Sequence, residues 1–161
     1  MSEAGEFIDR SLQNEGSWER ASGARELDGS GLRFYGASMG AIRGTVRDAA
    51  RKFPSLDHDE IAALSSELWA EPVYERRLAA IVLLQANVRN LKPNDLTRIE
   101  GFVRSAAGSE SLLGHLIDDV VLPLFARFES GDRLRTDAVL TRWAESDHPA
   151  LRRAALAVSD L

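Results

Sequence analysis

Residues 68–84 read Leu-Trp-Ala-Glu-Pro-Val-Tyr-Glu-Arg-Arg-Leu-Ala-Ala-Ile-Val-Leu-Leu, and this stretch decides the fold class. It opens on the end of one amphipathic helix, whose apolar face is Ile61, Leu64, Leu68 and Trp69. Pro72 then begins a second helix, where its missing N–H leaves no bond unmade. That second helix is apolar all round from Leu78 to Leu84, which predicts an inner element. The pattern has an echo. Trp69-Ala70-Glu71 recurs as Trp143-Ala144-Glu145, 74 positions on, and Arg76-Arg77-Leu78-Ala79-Ala80 is answered by Arg152-Arg153-Ala154-Ala155. Phe102 stands where an intermediate unit would place its aromatic residue. One helix pair cannot bury its apolar face alone, so repeated pairs stack. The predicted fold is all-α: a HEAT-like helical-repeat solenoid, an α-α superhelix.

The flanking sequence agrees. Phe7, Ile8 and Leu12 predict a short first helix, and Gly23, Gly29 and Gly31 predict a loose link after it. Met39, Ile42, Val46, Ala49 and Ala50 fall at helical spacing and stop at Phe53-Pro54. Asp57 and Glu60 have capping-box spacing. Pro93 opens a helix with Leu96, Ile99, Phe102 and Val103 on one face. Ser109 or Ser111 caps the next, which runs from Leu112 to Val121 before Pro123 kinks or ends it. Val139, Leu140 and Trp143 mark another, and Pro149 starts a last one through Leu151, Ala154, Ala155 and Val158. This makes about eight helices and no sheet. The domain reading is an acidic N-terminal helix and Gly-rich link over residues 1–31, then a HEAT-like repeat domain over 32–161.

Composition narrows the function. The chain has 161 residues, 20 Lys and Arg, 25 Asp and Glu, and a net charge of -5. It has no cysteine, which excludes disulfides, thiolate metal sites and a Cys nucleophile. The three scattered histidines lack zinc-ligand spacing, so neither a metal nor a cofactor is expected. No Gly-x-Gly-x-x-Gly, Walker-type loop or Ser-His-Asp spacing is present. No apolar run approaches a membrane span, and the N-terminus lacks the basic and apolar regions of a secretory signal, so a cytoplasmic location is expected. Residues 1–30 carry -4 of the net charge, whereas 73–104 carry a local +3, the best electrostatic case for a polyanion.

Three segments, in order, resemble one family. Phe34-Tyr35-Gly36-Ala37 followed by Ile42-Arg43 is similar to the aromatic-Gly-Val…Pro-x-x-Arg entry of the AlkD-like DNA alkylation repair glycosylases, which are built of HEAT-like repeats. Leu68–Ala79 resembles that family's Leu-Trp…Glu-x-Arg-x-x-Ala helix pair, and Arg142–Ala155 resembles its Lys/Arg-Trp…Leu-x-Arg-Ala-Ala segment. The resemblance covers roughly residues 32–158. It implies duplex DNA as partner and, in active relatives, metal-free excision of N-alkylated purines. An aromatic side chain and a carboxylate would contact the cationic lesion.

The family's catalytic Ser-Trp-x-x-x-Val-Asp segment is replaced here by Ser109-Glu110-Ser111-Leu112-Leu113-Gly114-His115-Leu116-Ile117-Asp118-Asp119. Alignment on Val120–Leu124 puts Gly114 near the Asp position. A slip of one residue offers His115, and a full turn offers Asp118. Asp118, Asp119 and His115 are therefore the catalytic candidates, with His115 and Asp119 spaced to pair one helical turn apart. Ala150 stands where the family has a lesion-facing Trp. The candidate DNA-binding residues are Arg43, Arg76, Arg77, Arg152 and Arg153. Trp69 and Trp143 are expected to pack between repeats. An end at Leu161 predicts an uncapped last repeat exposing Leu151, Ala155 and Val158, and a homodimer through that face is the hypothesis it motivates. A helical-repeat protein–protein scaffold without nucleic acid is the alternative reading.

Overall fold

The computed structural model describes residues 1–161 and is all-α, with ten helices and a single isolated bridge between Arg33 and Val73. The helices are α1 (Glu3–Asn14), α2 (Trp18–Asp28), α3 (Met39–Lys52), α4 (His58–Ala70), α5 (Tyr74–Ala86), α6 (Leu96–Ser105), α7 (Glu110–Leu116), α8 (Leu122–Arg127), α9 (Arg133–Ala144) and α10 (Pro149–Ser159). The HEAT-like helical-repeat class predicted from the sequence is the class observed. Two compact units divide the chain after Ala86.

In the first unit, α4 and α5 form the tightest pair, and α1 packs on α3, α4 and α5. The capping box at α4 is complete: the Asp57 carboxylate accepts from Glu60 N–H at 2.9 Å, and the Glu60 carboxylate accepts from Asp57 N–H at 2.9 Å. Helix α5 is the inner one, with every residue from Leu78 to Leu84 buried. Gly23, expected in a link, instead lies inside α2. That helix escaped the hydrophobic pattern because it buries only Ala21 and has no apolar face to read. Ser17 caps its start, and Gly29 ends it in the left-handed conformation.

In the second unit, α9 and α10 pair, and α10 also packs on α6 and α8. Ser109 is the cap of α7. Pro123 does not end its helix. The chain runs on from α7 into α8 through one π-helical turn over Ile117–Val121, in which Leu122 N–H reaches back to Ile117 O. The proline has no N–H for the carbonyl four residues earlier and crowds it, and widening the turn relieves the clash. At the chain's end, Leu151, Ala155 and Val158 are buried, not exposed. The neighbouring helices of the unit cover them, so these three side chains do not supply the exposed apolar face that motivated a homodimer. No helix is long and apolar enough to cross a membrane.

Candidate nucleic-acid interface

The Glu75-Arg76-Arg77 motif turns out to be an internal strap. Glu75 is 2% exposed, and its carboxylate accepts the N–H groups of Tyr35 at 2.8 Å and Gly36 at 2.9 Å. It thereby ties the 33–36 loop to α5, where Phe34 stacks on Tyr74 with ring centres 4.9 Å apart. Arg76 is 3% exposed. It pairs with Asp9 at 3.1 Å and donates to Glu67 O at 2.9 Å, closing the C-terminal carbonyls of α4. Arg77 donates to Trp69 O at 3.1 Å and lies over the Trp69 ring. Arg76 has no face left for a phosphate, and Arg77 is half-buried. The local positive charge of 73–104 therefore does not form a surface patch at these residues, because the helix-end carbonyls and Asp9 take it up.

Asp9 is the centre of a half-buried network. Its carboxylate accepts from Tyr35 Oη at 2.7 Å and from Gln13 Nε2 at 2.8 Å, besides the Arg76 pair. Burial pushes its pKa up, but the Tyr35 and Arg76 contacts outweigh burial and hold it below the ordinary value. Burial and the same Asp9 contact push the Tyr35 hydroxyl up to about 12.

Arg43 has the opposite fate. It projects from α3 into solvent with no acid beside it. Arg47 and Arg51 follow at four-residue steps and are exposed too. The three form a stripe with about 6 Å of rise per step. The one acid in α3, Asp48, comes no nearer to Arg51 than 3.9 Å, and such an exposed pair contributes little. Gly40 and Gly44 leave this surface bare: an added Cβ at Gly40 would meet only Ser38 Oγ at 4.0 Å, and one at Gly44 only the Arg47 guanidinium at 3.6 Å. Arg47 and Arg51 were missed in the sequence, although their spacing from Arg43 was the signal.

In the second unit, Arg152 and Arg153 lie exposed near the start of α10. Arg152 donates to Ser146 O at 2.8 Å, and Arg153 pairs with Glu110 at 2.8 Å. The catalytic candidates occupy the α7–α8 helix. His115 Nδ1 lies 3.1 Å from Asp119 Oδ2. Asp118 is exposed and makes no contact of this kind. An added Cβ at Gly114 would point into open space. Trp69 and Trp143 are buried. Glu100 is the carboxylate with the richest contacts here, accepting from Trp143 Nε1 and from Arg142. Burial raises its pKa, and the Arg142 and Trp143 hydrogen bonds more than reverse this. The structure gathers no three His, Asp or Glu side chains into a cluster that could hold a metal ion.

Comparison with curated proteins returns no match. A family model described as DNA alkylation repair enzyme matches residues 8–159, nearly the whole chain and both units. The chain therefore belongs to the DNA alkylation repair enzyme family.

Proposed function

We propose that this protein works in DNA alkylation repair by binding duplex DNA through exposed arginines: Arg43, Arg47 and Arg51 on α3, and Arg152 and Arg153 on α10. The α3 stripe carries the reading. Three solvated guanidiniums at regular spacing, on a helix face bared by two glycines, suit the phosphates of a backbone that must come close. Neutralising phosphates releases counterions, so the reading commits to steeply salt-dependent binding.

Excision is the finer step. Asp118 is the candidate with an unpaired carboxylate, while His115 and Asp119 engage one another. The experiment is base release from duplex DNA carrying one N7-methylguanine, run beside salt-dependent binding to the same duplex. Release above the spontaneous rate, lost in Asp118→Asn, assigns the chemistry to that carboxylate. Salt-sensitive binding without release leaves a DNA-binding member of the family. The acidic N-terminal thirty residues favour a second reading, a scaffold for protein partners. Absence of duplex binding at low salt is the result that decides for it.

A further inference from the structure

A cavity of about 540 Å3 opens in the first unit between the start of α1, one side of α4 and the 53–56 loop, and none of the arginines or catalytic candidates named above lines it. Its floor is apolar. Ala4 and Leu64 are buried, Phe53 and Leu56 are half-buried, and Ala63 is exposed. Its rim is acidic: Glu3, Glu60 and Glu67 line it, and no Lys, Arg or His does. Glu67 accepts the Ser2 hydroxyl at 2.6 Å, and Glu60 accepts Asp57 N–H at 2.9 Å in the capping box. A hydroxyl and an N–H leave both carboxylate charges in place. Lys52 turns its ammonium to the Phe7 ring at 4.8 Å and the Phe53 ring at 5.9 Å. It does not line the cavity, and one ammonium against three carboxylates leaves the site negative. The α4 wall has the register of a helix seat. Glu60, Ala63, Leu64 and Glu67 fall at i, i+3, i+4 and i+7, one row on the helix surface about 10 Å long. The row is apolar at its centre and acidic at both ends. Ala63 offers only a methyl group there, so a second helix axis can approach to the ordinary distance of about 8–10 Å.

We infer that this groove docks a basic amphipathic helix of a partner protein. The helix lays its apolar side chains on Phe53, Leu56, Ala63 and Leu64 and brings its Lys or Arg side chains to Glu3, Glu60 and Glu67. Shape and charge each select this occupant. An apolar floor two helical turns long suits the i, i+3, i+4, i+7 anchors of a helix lying in a groove. Three carboxylates with no base among them favour cationic flanks and repel DNA phosphates. The inference is independent of the α3 arginine stripe, and it gives the protein-partner reading a surface.

The experiment follows the anisotropy of labelled peptides of about four helical turns, titrated with the full chain. One peptide has leucines at helical spacing and lysines on the other positions. A second has the same composition in strict alternation, which makes no helical apolar face. A third replaces every lysine by glutamate. Wild type is expected to bind only the first. Ala63→Arg fills the centre of the groove with a cation, and Glu3→Lys reverses one rim charge. Each is expected to weaken binding by at least about tenfold, the order of one buried leucine or one close charge pair. Glu26→Lys makes the same charge change on α2, outside the groove, and is expected to bind like wild type. Ala63 is exposed and Arg is a good helix former, so Ala63→Arg is expected to keep the wild-type melting temperature. Absence of binding overturns the inference. So does equal binding of the alternating peptide, binding of the glutamate peptide, full affinity in Ala63→Arg, or an equal loss in Glu26→Lys. A dimer in light scattering that Ala63→Arg dissolves gives the groove to a second copy of the chain and overturns the partner helix. No arm uses DNA, so the DNA-binding reading stands or falls separately.

Discussion

The indole N–H of Trp143 donates to the Glu100 carboxylate across 2.5 Å, joining α9 to α6 inside the second unit. Arg142 adds a second donor to the same oxygen at 2.8 Å. Because Trp143 is fully buried, Glu100→Ala leaves its N–H without a partner. The expected loss is about 1–3 kcal/mol in denaturant unfolding. Glu100→Gln, which keeps an acceptor, is expected to lose less. The folded-state pKa of Glu100 is depressed, so its contribution is present above the unfolded value of about 4.5 and fades as pH falls through the folded value. In Glu100→Gln that part of the acid sensitivity is expected to disappear.

Asp9 and Tyr35 give the first unit a stability plateau with two edges. The Asp9 pKa is lowered, so its contribution is lost as pH falls through the folded value, below the ordinary 3.8. The Tyr35 pKa is raised, so its contribution is complete below the unfolded value of 10.0 and is lost as pH rises toward about 12. Tyr35→Phe is expected to remove the alkaline edge, read as melting temperature against pH. Arg76→Ala leaves the Asp9 charge without its buried partner, and the expected cost is about 3–5 kcal/mol. A neutral effect would overturn the strap role of Arg76.

Two glycine substitutions should move stability in opposite directions. At Gly36 the left-handed backbone and the contact with Ser17 O forbid a side chain. Gly36→Ala is expected to cost about 1–3 kcal/mol from conformation alone, and more from displacing Ser17. Gly23 sits inside α2 with nothing within 4 Å of an added Cβ. Gly23→Ala is expected to stabilise by roughly 0.5–1 kcal/mol. Thermal unfolding of the two variants side by side checks both signs.

The arginines separate by fate. Arg43→Ala and Arg47→Ala are each expected to lower the slope of log affinity against log salt by about 1, with unchanged melting temperature. Arg76→Ala is expected to lower stability first, because it faces Asp9 and carbonyls instead of solvent. Equal salt slopes in wild type and Arg43→Ala would remove α3 from the interface.

Much of the fold can be read from local spacing. The α4 capping box, the all-apolar run of α5, the Ser109 cap and the repeated Trp-Ala-Glu followed by paired arginines all depend on neighbours within a turn or two, so they are visible in order along the chain. Helix α2 is not, because it buries only one residue and local pattern has nothing to register. The His115–Asp119 pair is legible for the same reason that any four-residue pair on a helix is.

What each charge does is another matter, and only the tertiary structure decided it. Arg43 and Arg76 are the same residue type, each on a helix that follows a turn. Arg76 is buried because Asp9, from a helix some 65 residues earlier in the chain, closes over it and supplies the counter-charge. Arg43 is solvated because no element covers that side of α3. Leu151, Ala155 and Val158 face inward because neighbouring helices cover them. The sequence by itself determined the helices, their caps and the repeat, since these are set by residues close along the chain. Which arginines meet solvent was decided by packing between distant segments, because burial is a property of what arrives from elsewhere.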